Sequence, residues 1–138
     1  MAYNVLIVDD SRAMRSVLRK VLGASGFPVG ECREAGNGAE ALEVLRTSWI
    51  DVVVSDIHMP VLDGYGLFRA MRETPALRDL PVVFVTTEAS EERLAELMAL
   101  GARGYLRKPF RPEEFRSVLG AVLGEPDGMA QSTEGCDF

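Results

Sequence analysis

Three short runs of unbroken apolar residues, Val5-Leu6-Ile7-Val8, Val52-Val53-Val54 and Val82-Val83-Phe84-Val85, are separated by stretches with helical periodicity. A strand with one wet face alternates apolar and polar side chains. A strand with no polar position has to be covered on both faces. Strict alternation of such strands with helices predicts an α/β domain, a doubly wound parallel sheet with helices on both sides.

The remaining elements follow from the pattern between those runs. Ser11 reads as an N-cap, after which Met14, Val17, Leu18, Val21 and Leu22 recur at helical spacing, and Gly23 and Gly26 close the helix. Residues 29–34 read as a weaker strand, polar enough for a sheet edge. A short helix over 39–46 buries Ala41, Leu42 and Leu45. The run at Val52 ends in Ser55-Asp56, and Met59-Pro60-Val61-Leu62-Asp63-Gly64 forms a loop before a helix that reaches about Glu73. The run at Val82 stops at Thr86-Thr87. Ser90 caps a helix over 91–100 with Leu94, Leu97 and Met98 inward, and Gly101 ends it. Tyr105-Leu106 makes a short strand and Lys108-Pro109 stops it. Pro112 opens a last helix striped with Phe115, Val118, Leu119 and Val122. Five strands thus alternate with five helices in one domain over 1–123, and the Gly, Pro, Asp, Ser and Thr of 124–138 read as a disordered tail or linker stub.

Composition excludes several classes. A net charge of −6 argues against non-specific affinity for nucleic acid or an anionic membrane. No apolar run is long enough to span a bilayer and the N-terminus lacks a secretory pattern, so the chain is expected in the cytosol. Cys32 and Cys136 have no metal-ligand spacing and read as reduced bystanders. Of the 15 basic residues only Lys20 and Lys108 are lysine. Arg103, Arg107, Arg111 and Arg116 read as solvated surface, whereas a lysine between Arg107 and Arg111 marks a site that uses a compact ammonium.

Open parallel sheets bind ligands beyond the carboxyl ends of their strands. There the first strand offers Asp9-Asp10, the third Asp56, the fourth Thr86-Thr87 and the fifth Lys108. One aspartate after a strand is ordinarily a turn or capping residue, one threonine structural and one lysine solvated. Three carboxylates brought together repel unless a cation joins them, and hard oxygen ligands suit Mg²⁺. Adding a hydroxyl and an ammonium produces a constellation for phosphoryl transfer to a carboxylate, with Asp56 attacking in line. Thr86 and the backbone N–H groups after Asp56 and Thr86, the latter that of Thr87, complete the cradle.

The motifs Val8-Asp9-Asp10-Ser11, Asp56 with Met59-Pro60 and Asp63-Gly64, then Thr86, then Lys108-Pro109-Phe110, resemble as a set those of response-regulator receiver domains, particularly small chemotaxis-type ones. The resemblance covers about residues 4–123. It implies a flavodoxin-like sheet of order 2-1-3-4-5, with Asp56 as phosphoacceptor. It also implies Mg²⁺ ligands from Asp10, Asp56 and the backbone carbonyl of His58, with Asp9 acting mostly through water. Thr86, the Thr87 backbone and Lys108 would contact the phosphoryl group, Thr86 and Tyr105 would form the switch, and Lys108–Pro109 would be cis. A histidine kinase or phosphotransfer protein would donate. The last strand and last two helices would then bind a downstream protein, such as a chemotaxis or flagellar-motor partner or a phosphorelay component. Such a domain is no enzyme beyond its own phosphoryl transfer and dephosphorylation.

Departures from the pattern bear on rates. His58, the sole histidine, stands where many relatives carry a polar residue such as Asn; it reads as a solvated imidazole, the alternative being that it tunes access of water to the phosphoryl group. Thr87 stands where a smaller residue is common and crowds the phosphodonor. Ile57 replaces the Trp of some chemotaxis relatives, and Trp49 is near the opposite end of its strand, a poor fluorescent reporter. Three other readings compete. An aspartate-nucleophile phosphatase would place a second carboxylate where His58 stands. A flavin or nucleotide carrier would want a Gly/Ser/Thr-rich loop where Asp9-Asp10 stands. A constitutive, never-phosphorylated binding module would not need the full set of site residues.

Overall fold

Every residue of Val52–Ser55 and Val82–Thr86 is buried, as the unbroken apolar runs require. A computed structural model describes residues 2–87 and 91–123. In chain order the elements are β1 (Tyr3–Val8), α1 (Arg12–Ala24), β2 (Val29–Ala35), α2 (Gly38–Thr47), β3 (Val52–Ser55), α3 (Gly64–Glu73), β4 (Val82–Thr86), α4 (Glu91–Ala99), β5 (Gly104–Arg107) and α5 (Pro112–Leu123). The strands form one sheet in the order β2-β1-β3-β4-β5, and each pair is parallel. Ser90, Cys136 and the tail assigned to 124–138 lie outside the described residues. None of the described helices is long and apolar enough to cross a membrane.

The two-residue period of a strand sorts side chains onto opposite faces. Leu6, Val8, Val53 and Phe84 meet Ala41, Leu45, Leu67, Phe68, Met71, Leu94 and Leu97 of α2, α3 and α4. Val5, Ile7, Val52, Val54, Val83 and Val85 meet Leu18, Leu22, Phe115 and Leu119 of α1 and α5. Phe115 is fully buried edge-on to Phe110, with ring centroids 5.5 Å apart. Burying a side chain of this size stabilises the fold by about 1.5–3 kcal/mol.

Local chemistry sets the helix starts. Ser11 accepts the Met14 N–H, Asn37 accepts the Glu40 N–H, and Asp63 accepts the Gly66 N–H. Two expectations need correcting. Gly23 does not close α1 but lies inside it; the chain turns at Gly26, whose φ of +79° suits a residue without Cβ. Met98 is not inward but 40% exposed, because the buried stripe of α4 is the narrow ridge of Leu94 and Leu97. Val17 is likewise half exposed at the margin of the α1 stripe. The basic residues of the last third are dispersed: Arg107 pairs with Glu91 at 3.7 Å, and Arg116 donates to the Gly26 carbonyl.

Candidate functional site

Parallel strands in register finish together. Val8 pairs with Ser55, and Ser55 with Phe84, so β1 and β3 end in one layer with β4 beside them. Ladder bonds run one step past the strands and fix the backbones that carry the chemistry. The Asp9 N–H donates to the Ala35 carbonyl (3.1 Å), the Asp56 N–H to that of Val8 (2.9 Å), and the Lys108 N–H to that of Thr86 (2.8 Å).

Carboxylate oxygens of Asp9, Asp10 and Asp56 consequently lie within 4.8 Å of one another. Asp9 is buried, Asp56 partly so, and Asp10 is exposed. Asp9 accepts the Ser11 N–H at 2.9 Å and Asp56 accepts the Ile57 N–H at 2.7 Å. Lys108 reaches between them, its Nζ 3.5 Å from Asp9 and 3.8 Å from Asp56. The lysine singled out by composition is thus the cation of the acidic cluster, and the Lys108–Pro109 bond is cis. Burial pushes the Asp9 carboxyl above the ordinary carboxylate range; the Ser11 N–H and the Lys108 charge oppose this, and the Asp56 charge adds to it.

Among the described residues, three carboxylates against one ammonium leave the cluster short of positive charge. All its donors are hard oxygens, and Asp10 opens the site to solvent. That donor set fits a hard divalent cation that keeps part of its water. Thr86 is buried at the end of β4, Thr87 is exposed, and His58 is exposed in the loop after β3. Tyr105 is 39% exposed on the outer face of β5, beside a surface groove that Glu91, Arg107 and Val118 also line.

Three supporting residues escaped sequence reasoning. Ser55 is buried and its hydroxyl donates to the Asp56 carbonyl at 2.7 Å. Gly64, read as loop punctuation, opens α3 and donates its N–H to the Ile57 carbonyl at 2.7 Å. Arg15 donates Nη1 to the Asp9 carbonyl at 2.6 Å while its Nε bonds Glu34 at 2.9 Å. Nothing in the helical spacing of α1 distinguishes Arg15 from a solvated arginine; only the position of β2 does.

Comparison with known proteins agrees with this fold. The family model described as "Response regulator receiver domain" matches residues 5–120. The chemotaxis protein CheY of Pseudomonas aeruginosa is 34% identical over 124 residues, covering 90% of this chain and 98% of the relative. The solved structure of the chemotaxis response regulator CheY4 of Vibrio cholerae is 36% identical with a TM-score of 0.78, covering 89% of this chain and all of that one. The receiver domain of the sensor histidine kinase PA1611 of Pseudomonas aeruginosa, solved with a magnesium ion coordinated in its active-site cleft, is 25% identical with a TM-score of 0.78, covering 91% of this chain and all of that one. The chain spans little more than half of some longer curated relatives, 57% of one and 56% of another. It belongs to the family of response regulator receiver domains, the regulatory switches of two-component signalling.

Proposed function

We propose that this receiver domain accepts a phosphoryl group on Asp56 from a histidine kinase or phosphotransfer protein, and that the modification alters the protein-binding face made by α4, β5 and α5. The carrying observation is the convergence of the Asp9, Asp10 and Asp56 oxygens within 4.8 Å, with Lys108 reaching both Asp9 and Asp56. Mg²⁺, held by Asp10, Asp56 and the His58 carbonyl with Asp9 acting through water, would neutralise charge on the phosphoryl oxygens. An Asp56 carboxylate oxygen forms the new bond to phosphorus, and the donor leaves with the electron pair of the broken bond. Lys108 meets the charge of the transferred group, while the Thr86 hydroxyl and the Thr87 N–H donate to its oxygens. Thr86, moving toward that group, makes room for Tyr105 to turn inward from its exposed position. His58 and Thr87, both exposed, would tune the access of water and of phosphodonor.

The output is proposed to be a protein–protein contact in the cytoplasm, with a motor component or a phosphorelay protein as the class of partner. The phosphatase reading has against it the imidazole, in place of a carboxylate, two residues after Asp56. The test is intact-mass spectrometry after incubation with acetyl phosphate, with and without Mg²⁺, on wild type and Asp56→Asn. One Mg²⁺-dependent phosphoryl adduct, absent from the variant, is expected. An unmodified wild type, where a known receiver is modified, would leave a constitutive binding module as the better reading.

A further inference from the structure

Asp9 is held at both of its backbone polar groups, and its carbonyl belongs to the peptide that joins it to Asp10. The two residues of that peptide carry two of the three clustered carboxylates, so its plane decides whether both can face Asp56 at once. The Asp9 N–H, which belongs to the preceding Val8–Asp9 peptide, makes the last bond of the β1–β2 ladder, to the Ala35 carbonyl. On the carbonyl side no strand continues, and Arg15 takes over with the 2.6 Å bond from Nη1 to the Asp9 oxygen. A guanidinium presents its donors in a rigid planar fork, so fixing one edge aims the other. The fixed edge is Nε on Glu34 of β2, at 2.9 Å. Arg15 itself is largely buried, with 15% of its side chain exposed.

An arginine this close to a cation site should repel the cation. Glu34 lessens that objection: its carboxylate contacts Arg15 at 2.9 Å, while Arg19 shares it at 3.3 Å. The Arg15 charge is therefore offset in part where it lies, and what reaches the site is an oriented hydrogen bond to the Asp9 carbonyl. A solvated ion pair alone contributes little to stability. This one instead terminates on the main chain of the metal-site residues, as do the outer partners that orient metal ligands.

We propose that Arg15 is a positioning residue for divalent-cation binding: braced by Glu34, it holds the Asp9–Asp10 peptide so that both carboxylates converge with Asp56. The inference rests on the reading of this cluster as a Mg²⁺ site. Its test is isothermal titration of Mg²⁺ into metal-free wild type, Arg15→Gln, Arg15→Lys and Glu34→Gln, with thermal unfolding of each in the absence of metal. In both Arg15 variants the Kd for Mg²⁺ should rise roughly tenfold, with metal-free melting little changed. Lysine should not rescue, since a point charge cannot bridge Glu34 and the Asp9 carbonyl. Glu34→Gln should weaken binding less, because Arg15 loses its brace but not its reach. A folded Arg15→Gln protein with the wild-type Kd would overturn the proposal. If Arg15→Gln does not fold, Glu34→Gln decides alone, and a wild-type Kd there overturns it equally. A wild type that binds no Mg²⁺ refutes the metal-site reading and this inference with it, a result visible before any variant is compared.

Discussion

A Cβ built on Gly64 would lie 2.5 Å from the carbonyl oxygen of Asp56. It would also stand 2.9 Å from Ile57 Cα and 3.0 Å from the Phe84 ring, so two of its three nearest neighbours are backbone atoms that cannot rotate away. The first turn of α3 is thus laid directly against the peptide after the proposed phosphoacceptor, and the Gly64 N–H bond to the Ile57 carbonyl closes the contact. Gly64→Ala should cost about 1–3 kcal/mol, the range for overpacking a dense interior. It should also slow modification of Asp56, because relief requires displacing that peptide. Urea denaturation reads the first effect and timed intact-mass spectra with acetyl phosphate the second. A variant with wild-type stability and rate would show that α3 can retreat without cost.

Lys108 and Asp9 are separated by 99 positions and meet at 3.5 Å. Replacing the ammonium leaves the repulsion between Asp9 and Asp56 without its internal counter-charge, and removes the donor proposed to meet the phosphoryl oxygens. Lys108→Met should slow phosphoryl transfer by about a hundredfold, the scale for losing one preorganised donor. Mg²⁺ affinity should hold or tighten, since a competing cation has gone. Titration calorimetry beside the mass assay separates these effects, and a parallel loss of both would mean that Lys108 acts by holding the site together.

The parallel sheet was legible because buried strands admit no polar residue, which the runs at Val5, Val52 and Val82 obey along their whole length, whereas the strand order came only from the family resemblance. The candidate site was legible for a related reason: residues at the carboxyl ends of parallel strands converge whatever the loops do, so Asp9, Asp10, Asp56, Thr86 and Lys108 could be grouped before any distance was known. What did not show is what depends on registry between distant elements. Arg15 looks like any surface arginine until β2 places Glu34 beside it. Gly64 looks like a turn residue until the Asp56 carbonyl occupies the space its side chain would need. Met98 has the helical spacing of a buried residue, but the ridge of α4 that meets the sheet is too narrow to cover it.

Val61 has a φ of 68° and is 82% exposed. A β-branched side chain in the left-handed region crowds its own backbone, at a cost of roughly 1–2 kcal/mol, and here little packing offsets it. The neighbouring contacts hold the turn in place. The Gly38 N–H donates to the Leu62 carbonyl at 2.9 Å, pinning the loop to the start of α2. Asparagine tolerates this conformation far better, so Val61→Asn should stabilise the protein by about 1 kcal/mol. An upward shift of the urea midpoint with an unchanged slope is the expected result, and an unchanged midpoint would place the strain elsewhere in the loop.

Asp9 links the electrostatics of the site to pH. Its folded carboxyl is raised above the ordinary value, chiefly by burial, so the folded state favours the protonated form. A raised carboxyl contributes stability that is fully present below the unfolded value, about 3.9. That contribution is lost as pH climbs through the higher folded value. In the metal-free protein Asp9 therefore penalises folding at neutral pH, and Asp9→Asn should melt at higher temperature than wild type at pH 7. The gap should narrow as pH falls toward 4, once wild-type Asp9 is protonated and resembles the amide. Bound Mg²⁺ favours the ionised carboxylate, so it should raise the wild-type melting temperature at pH 7 and do so less as pH falls through the Asp9 titration. Differential scanning calorimetry of both proteins across this range, with and without Mg²⁺, measures all three effects. A metal-free Asp9→Asn protein no more stable than wild type at pH 7 would mean that Lys108 and the Ser11 N–H already neutralise the cost of burying that charge.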